Sequence, residues 1–147
     1  MKRYGLLTFL VFVIVSIASA KGMADKITIT TPNGQTFDVT DSRITEHISM
    51  AALEIFPNSM AKPKVTDNGY ELARAFKDGN TYRIFDRVRY YPVGRGGYVF
   101  YIGIENGWSE YDGKWFVASQ GGVEAMNKVI GNLKPRALRG RLNVWLD

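Results

Sequence analysis

Apolar and polar residues alternate from Lys26 to Thr31, with Ile27 and Ile29 on one side and Thr28 and Thr30 on the other, and again from Gln35 to Thr40 around Phe37 and Val39. A period of two is that of a half-buried strand. Pro32-Asn33-Gly34 separates the two runs; Asn and Gly accept the positive φ of a tight turn, so the pattern predicts a β-hairpin. The period then lengthens. Ile44, Ile48, Ala51, Ala52 and Ile55 draw one stripe at helical spacing, which predicts an amphipathic helix over Ser42 to Phe56, capped by Asp41 or Ser42 and followed by Pro57. Asn58 to Thr66 has no period and reads as a loop.

Tyr70 to Lys77 carries both signals. Glu71-Leu72-Ala73-Arg74-Ala75-Phe76 contains helix formers, while Tyr70, Leu72, Arg74 and Phe76 alternate. The shortness of the segment and the Asp78-Gly79 turn favour a strand running into the next one. From Thr81 to Tyr91 the pattern predicts a core face of Tyr82, Ile84, Val88 and Tyr90, with Asp86 among them, and an opposite face of Arg83, Phe85, Arg87, Arg89 and Tyr91. After the loop Pro92 to Gly97, Tyr98, Phe100, Ile102 and Ile104 alternate; after the loop Glu105 to Gly113, Lys114 to Ala118 adds another strand. Val123, Met126, Ile130 and Leu133 restore the helical period before Pro135, and Leu142 to Leu146 reads as a final strand. The expected fold is α+β: an antiparallel sheet of about five to six strands with two amphipathic helices packed on one face.

The first twenty residues stand apart. Lys2 and Arg3 precede an apolar run from Leu6 to Ile17, and Ala18-Ser19-Ala20 supplies small residues for cleavage. This is the three-part pattern of a secretory signal peptide. A helix over that run would span about 18 Å against the roughly 30 Å hydrocarbon core. Removal after Ala20 is the expectation, leaving one domain over residues 21–147 in the periplasm or outside the cell; an uncleaved leader would instead tether it to the membrane.

No cysteine occurs, which excludes disulfides, thiol nucleophiles and thiolate metal sites. The leader holds two of the nineteen basic residues and none of the fourteen acidic ones, leaving a net charge of +3. That is too mild for a nucleic-acid footprint. Lys128, Lys134, Arg136, Arg139 and Arg141 nonetheless make the C-terminal end locally basic.

Catalytic signatures are lacking. His47 is the only histidine, so a multi-histidine metal site is excluded; at the border of the Ile44 and Ile48 stripe it reads as structural. No Gly-x-Ser-x-Gly elbow occurs. Gly94-Arg95-Gly96-Gly97 lies between strands and reads as a hairpin loop, and Ser119-Gln120-Gly121-Gly122 lacks the lysine of a phosphate-binding loop. No catalytic residue, metal or cofactor is expected.

Thirteen of the nineteen aromatic residues lie between Tyr70 and Phe116. Core-facing alternation accounts for about half of them. The others, notably Phe85, Tyr91 and Tyr101, are expected to share the opposite sheet face with Arg83, Arg87 and Arg89. Arginine among aromatics is the composition of an interaction surface. The expected function is that of an exported envelope-binding or accessory protein without catalytic activity, engaging a protein or an anionic polymer through this face. The alternative is a small enzyme acting on a glycan or other polar substrate, with Glu105, Glu110 and Asp112 around Trp108 as acid, base and stacking platform.

Overall fold

The computed structural model describes residues 22–66 and 68–133. The leader, the expected strand Leu142 to Leu146 and the basic residues Lys134, Arg136, Arg139 and Arg141 lie outside them. No described helix is long and apolar enough to cross a membrane.

Strands β1 (Lys26–Thr30) and β2 (Thr36–Val39) form the expected hairpin, with Ile27 opposite Val39 and Ile29 opposite Phe37. Gly34 takes φ +84° in its turn. Helix α1 covers only Ser42–Ile48, with the Asp41 carboxylate accepting from the Arg43 amide at its start. The expected extension to Phe56 does not form. Ser49 is extended, and its hydroxyl donates to the Thr45 carbonyl while accepting the Ala24 amide. Ala51 then adopts φ +61°. From there the chain runs out to the sheet edge, where Glu54 bridges to Ala118, so Ile55, the last residue of the predicted stripe, is left 44% exposed. A serine that can satisfy both the last turn and an outside amide competes with helix continuation.

Tyr70 to Lys77 is strand: β3 spans Tyr70–Asp78 and pairs with β1 on one side and β4 (Thr81–Val93) on the other. The turn between them is Gly79-Asn80, one residue later than expected, with Gly79 at φ +62°. Strand β5 (Gly96–Ile104) follows a turn at Gly94-Arg95, so pairing continues through Pro92 and Gly97, which the pattern reads as loop. Strand β6 (Trp115–Val117) and helix α2 (Gln120–Leu133) complete the described chain.

All six strands form one antiparallel sheet in the order β2-β1-β3-β4-β5-β6. The fold is therefore α+β. Ile48 of α1 and Val123, Met126 and Val129 of α2 share one core with Ile27, Ile29, Leu72, Val88, Tyr90, Val99, Tyr101 and Phe116, so both helices cover the same face. Among the described residues the other face carries no helix. The outer edge of β6 is occupied: the Ile55 amide donates to Val117, and the Met60 amide donates to Trp115 at 2.8 Å.

Two register shifts interrupt the sheet. Arg74 pairs with Asp86 but Ala75 pairs with Ile84, which leaves Phe85 as an extra residue in β4; Arg87 pairs with Gly103 but Val88 with Tyr101, which leaves Ile102 extra in β5. A one-residue insertion exchanges the faces of every residue beyond it. Tyr82 and Ile84 consequently pass to the helix-free face, where the Lys26 ammonium sits 4.8 Å from the Tyr82 ring centroid.

Candidate functional site

The central strand places a charge in the core. Arg74 follows Leu72 on the helix-covered face and is 1% exposed, and Glu54 and Asp86 are as deeply buried. The guanidinium grips both acids: Nε and one terminal nitrogen donate to the two Asp86 oxygens at 2.7 Å each, and the terminal nitrogens donate to the two oxygens of Glu54. The Tyr101 hydroxyl donates to Asp86 at 2.9 Å. Desolvation alone would favour loss of the Arg74 proton, but the two carboxylates outweigh it and raise its pKa further. The cluster joins three separate parts of the chain: β3, β4 and the segment after α1. Its sequence signal is an ionisable residue in the apolar phase on each of two adjacent strands, Arg74 between Leu72 and Phe76 and Asp86 between Ile84 and Val88. Glu54, between Leu53 and an exposed Ile55, gives no such signal.

The expected position of Tyr101 is thereby corrected. Tyr101 is fully buried on the helix-covered face. The bulge at Ile102 sets it opposite Val88, and its hydroxyl is committed to Asp86. Burial, then the Asp86 charge, raises the Tyr101 phenol pKa, and burial raises Tyr90 from its ordinary 10 to about 12. Both phenols bind their protons more tightly in the folded state. Their contribution to stability is complete below pH 10 and is lost as pH rises through about 12. A phenolate titration should show a late step, carried by Tyr90 and Tyr101, that coincides with loss of tertiary circular dichroism. Full ionisation of all seven tyrosines of residues 21–147 with the fold intact would contradict this burial.

The helix-free face holds most of the expected binding residues. Arg87 lies 3.2 Å from Glu105 and 3.5 Å from Glu71, and Arg89 lies 3.0 Å from Glu71. The four side chains are between 30% and 41% exposed, above a floor of buried Ala73 and Ala75. The Glu71 hydrogen bond raises the pKa of Arg89. Farther along the same face, the Trp115 ring centroid lies 5.2 Å from that of Tyr91 and 5.1 Å from that of Phe100. Lys64, Val65 and Thr66 share a hollow with Tyr91, so the segment leaving Met60 passes against it. Tyr91 is 9% exposed and serves as an aromatic wall more than as a free contact.

Arg83 and Phe85 leave this group. The bulge at Phe85 sets Arg83 opposite Phe76, and the Phe85 ring meets Phe76 edge-on at 5.5 Å. These residues line a groove at the far end of the sheet that meets the Arg87 surface at Glu105.

The loop 105–113 does not gather its acids around one substrate position. Glu105 is held by Arg87, and Asp112 accepts the Ser109 amide at 3.1 Å within its own turn. Glu110 is exposed, beside Tyr111. Trp108 is 79% exposed. The Tyr111 ring instead faces inward and stacks on Phe56 at 4.2 Å. Among the described residues no group of His, Asp or Glu has the arrangement of a metal site. His47 is half exposed, 3.3 Å from Glu46.

Comparison with family models, curated protein sequences and solved structures returns no significant match. The functional reading therefore rests on the geometry of the chain itself.

Proposed function

We propose that this domain is an exported binding module of the cell envelope that engages a protein partner through the helix-free face of its sheet, without catalysis of its own. One observation carries the reading. Arg87 and Arg89 stand half exposed among an equal number of carboxylates, Glu71 and Glu105, on a floor of alanines. A polyanion calls for excess positive charge, which this pairing removes; a protein surface matches alternating charges and apolar contacts. Tyr82 and Val117, both more than 40% exposed, supply apolar area on the same face. The leader supports an extracytoplasmic setting.

The test reverses the pattern without breaking it. Glu71→Arg combined with Arg89→Glu keeps an ion pair between these two positions, replaces the 3.5 Å contact of Glu71 with Arg87 by a like-charge one while Arg87 retains Glu105, and inverts what a partner meets. Exposed pairs contribute about 0.2–1 kcal/mol, so the melting temperature should move by only a few degrees. Cross-linking of the mature domain in an envelope extract, followed by mass spectrometry, should yield a partner with the wild type and lose it with the swapped variant. Equal capture by both proteins removes this face from the proposal.

A further inference from the structure

One flank of the sheet has no partner among the described residues. β2 stands at the end of the strand order and pairs with β1 alone. At the head of the hairpin the Thr31 amide donates to the Gln35 carbonyl at 2.8 Å. Hydrogen-bonded pairs recur at every second residue of an antiparallel ladder, so Ile29 with Phe37 and Ile27 with Val39 are bonded, and the amides and carbonyls of Thr36 and Asp38 turn outward. Such a row is a template for a further strand. The margin of the core beside it is incompletely covered as well. Phe37, opposite Ile29 on the helix-covered face, is only partly buried, and so are Ile130 and Leu133 at the end of α2.

The chain returns to this flank. Ile130 and Leu133 line a hollow with Thr31, Asn33 and Gln35, so the described part of α2 ends beside the turn that opens β2. Fourteen residues, 134–147, follow in the sequence. Among them Leu142, Val144 and Leu146 alternate with Asn143 and Trp145, the period of a strand with one buried face. The intervening residues 134–141 can span up to about 26 Å, twice the roughly 13 Å length of a four-residue strand. They are long enough to pass the far end of β2 and turn back. The opposite border of the sheet is already filled by Ile55 and Met60.

We propose that residues 142–146 add to β2 as an antiparallel seventh strand, with Leu142 opposite Val39 and Val144 opposite Phe37. Asn143 and Trp145 then stand opposite Asp38 and Thr36 and engage their outward amides and carbonyls. Directly opposed residues share a face, so Leu142, Val144 and Leu146 close the margin of the core at Phe37 and Leu133. A slip of one residue would turn all three toward the helix-free face.

Nuclear magnetic resonance of the mature domain tests this. The Hα protons of Phe37 and Val144, a closely spaced pair in this register, should show a mutual Overhauser contact. The amides of Thr36 and Asp38 should exchange at least about tenfold more slowly than in the variant Val144→Asp, which should lose the contact and keep the rest of the folded spectrum. Unprotected exchange of Thr36 and Asp38 in the wild type overturns the proposal. Persistence of the protection in Val144→Asp overturns the assigned apolar face. In a mixture of isotope-labelled and unlabelled copies the contact should arise within one chain; a contact between copies would mean that the flank takes a neighbour's segment, and overturns docking within the same chain.

Discussion

Arg74→Met should be among the most damaging single substitutions in this protein, lowering its stability by about 3–5 kcal/mol in chemical denaturation. The loss does not come from the missing guanidinium alone. Glu54 and Asp86 are fully buried, and all four of their oxygens accept from Arg74. Without it, two carboxylates would face each other in the core with only the Tyr101 hydroxyl for company. Leaving a buried charge uncompensated costs far more than a surface ion pair contributes. The contrast that isolates this cause is the joint replacement Arg74→Met, Glu54→Leu, Asp86→Leu and Tyr101→Phe, which removes every charge and the phenol donor together. Burying apolar groups of similar volume in place of an ion cluster is commonly neutral or stabilising. The quadruple variant should therefore recover most of the stability lost in the single variant. If Arg74→Met unfolds no earlier than wild type, the cluster is not held as described.

Gly97→Ala should cost at least about 1–3 kcal/mol, the range of overpacked cores. A Cβ atom at this position would lie 2.4 Å from Cε2 and 2.7 Å from the hydroxyl of Tyr90. Neither side can easily yield. Tyr90 is fully buried in the second of the two central strands, and the Gly97 carbonyl accepts the Ala118 amide at 2.9 Å, which ties it to the β6 end of the sheet. The cause is checked by a double-mutant cycle: in a Tyr90→Leu background the ring is gone, and Gly97→Ala should lose most of its penalty. Tyr90→Phe should not rescue it, since Cε2 remains. That variant has its own use, because the Tyr90 hydroxyl has no hydrogen-bond partner among the described residues; removing it should leave stability unchanged or slightly improved. Equal cost of Gly97→Ala in all three backgrounds would rule out the clash with Tyr90.

The alternation of Ile27 with Ile29, of Phe37 with Val39 and of Leu72 with Arg74 was sufficient to read strand identity and the α+β class, because one buried face imposes a period of two. It was insufficient wherever one residue served two geometries. Ile84-Phe85 are both apolar and Asp86-Arg87 both polar, so the alternation falters where the chain inserts its extra residue; read as one uninterrupted strand it groups Arg83 and Phe85 with Arg87, and the bulge divides that group into two surfaces. Tyr101 is misplaced by similar logic: in the run Tyr98 to Ile104 both phases are apolar, so the pattern cannot say which is inside. The α1 stripe overran because Ala51, Ala52 and Ile55 fit a helix locally, while the pull on Glu54 comes from Arg74, twenty residues later. Long-range pairing of ionisable groups leaves only a faint trace in sequence, a charge where an apolar residue belongs. Asp86 shows that trace, and its partner on the next strand shows it too.

The closure of the β6 border by Glu54, Ile55 and Met60 limits how copies of the domain could join edge to edge. An open-ended filament grows only if one lateral border of a sheet can accept the opposite border of the next subunit. Here that acceptor is already filled from within the same fold. Among the described strands, β2 alone keeps a bare flank, and two such flanks can meet only head to head about a twofold axis. Edge association would then stop at a pair, a built-in protection against runaway polymerisation.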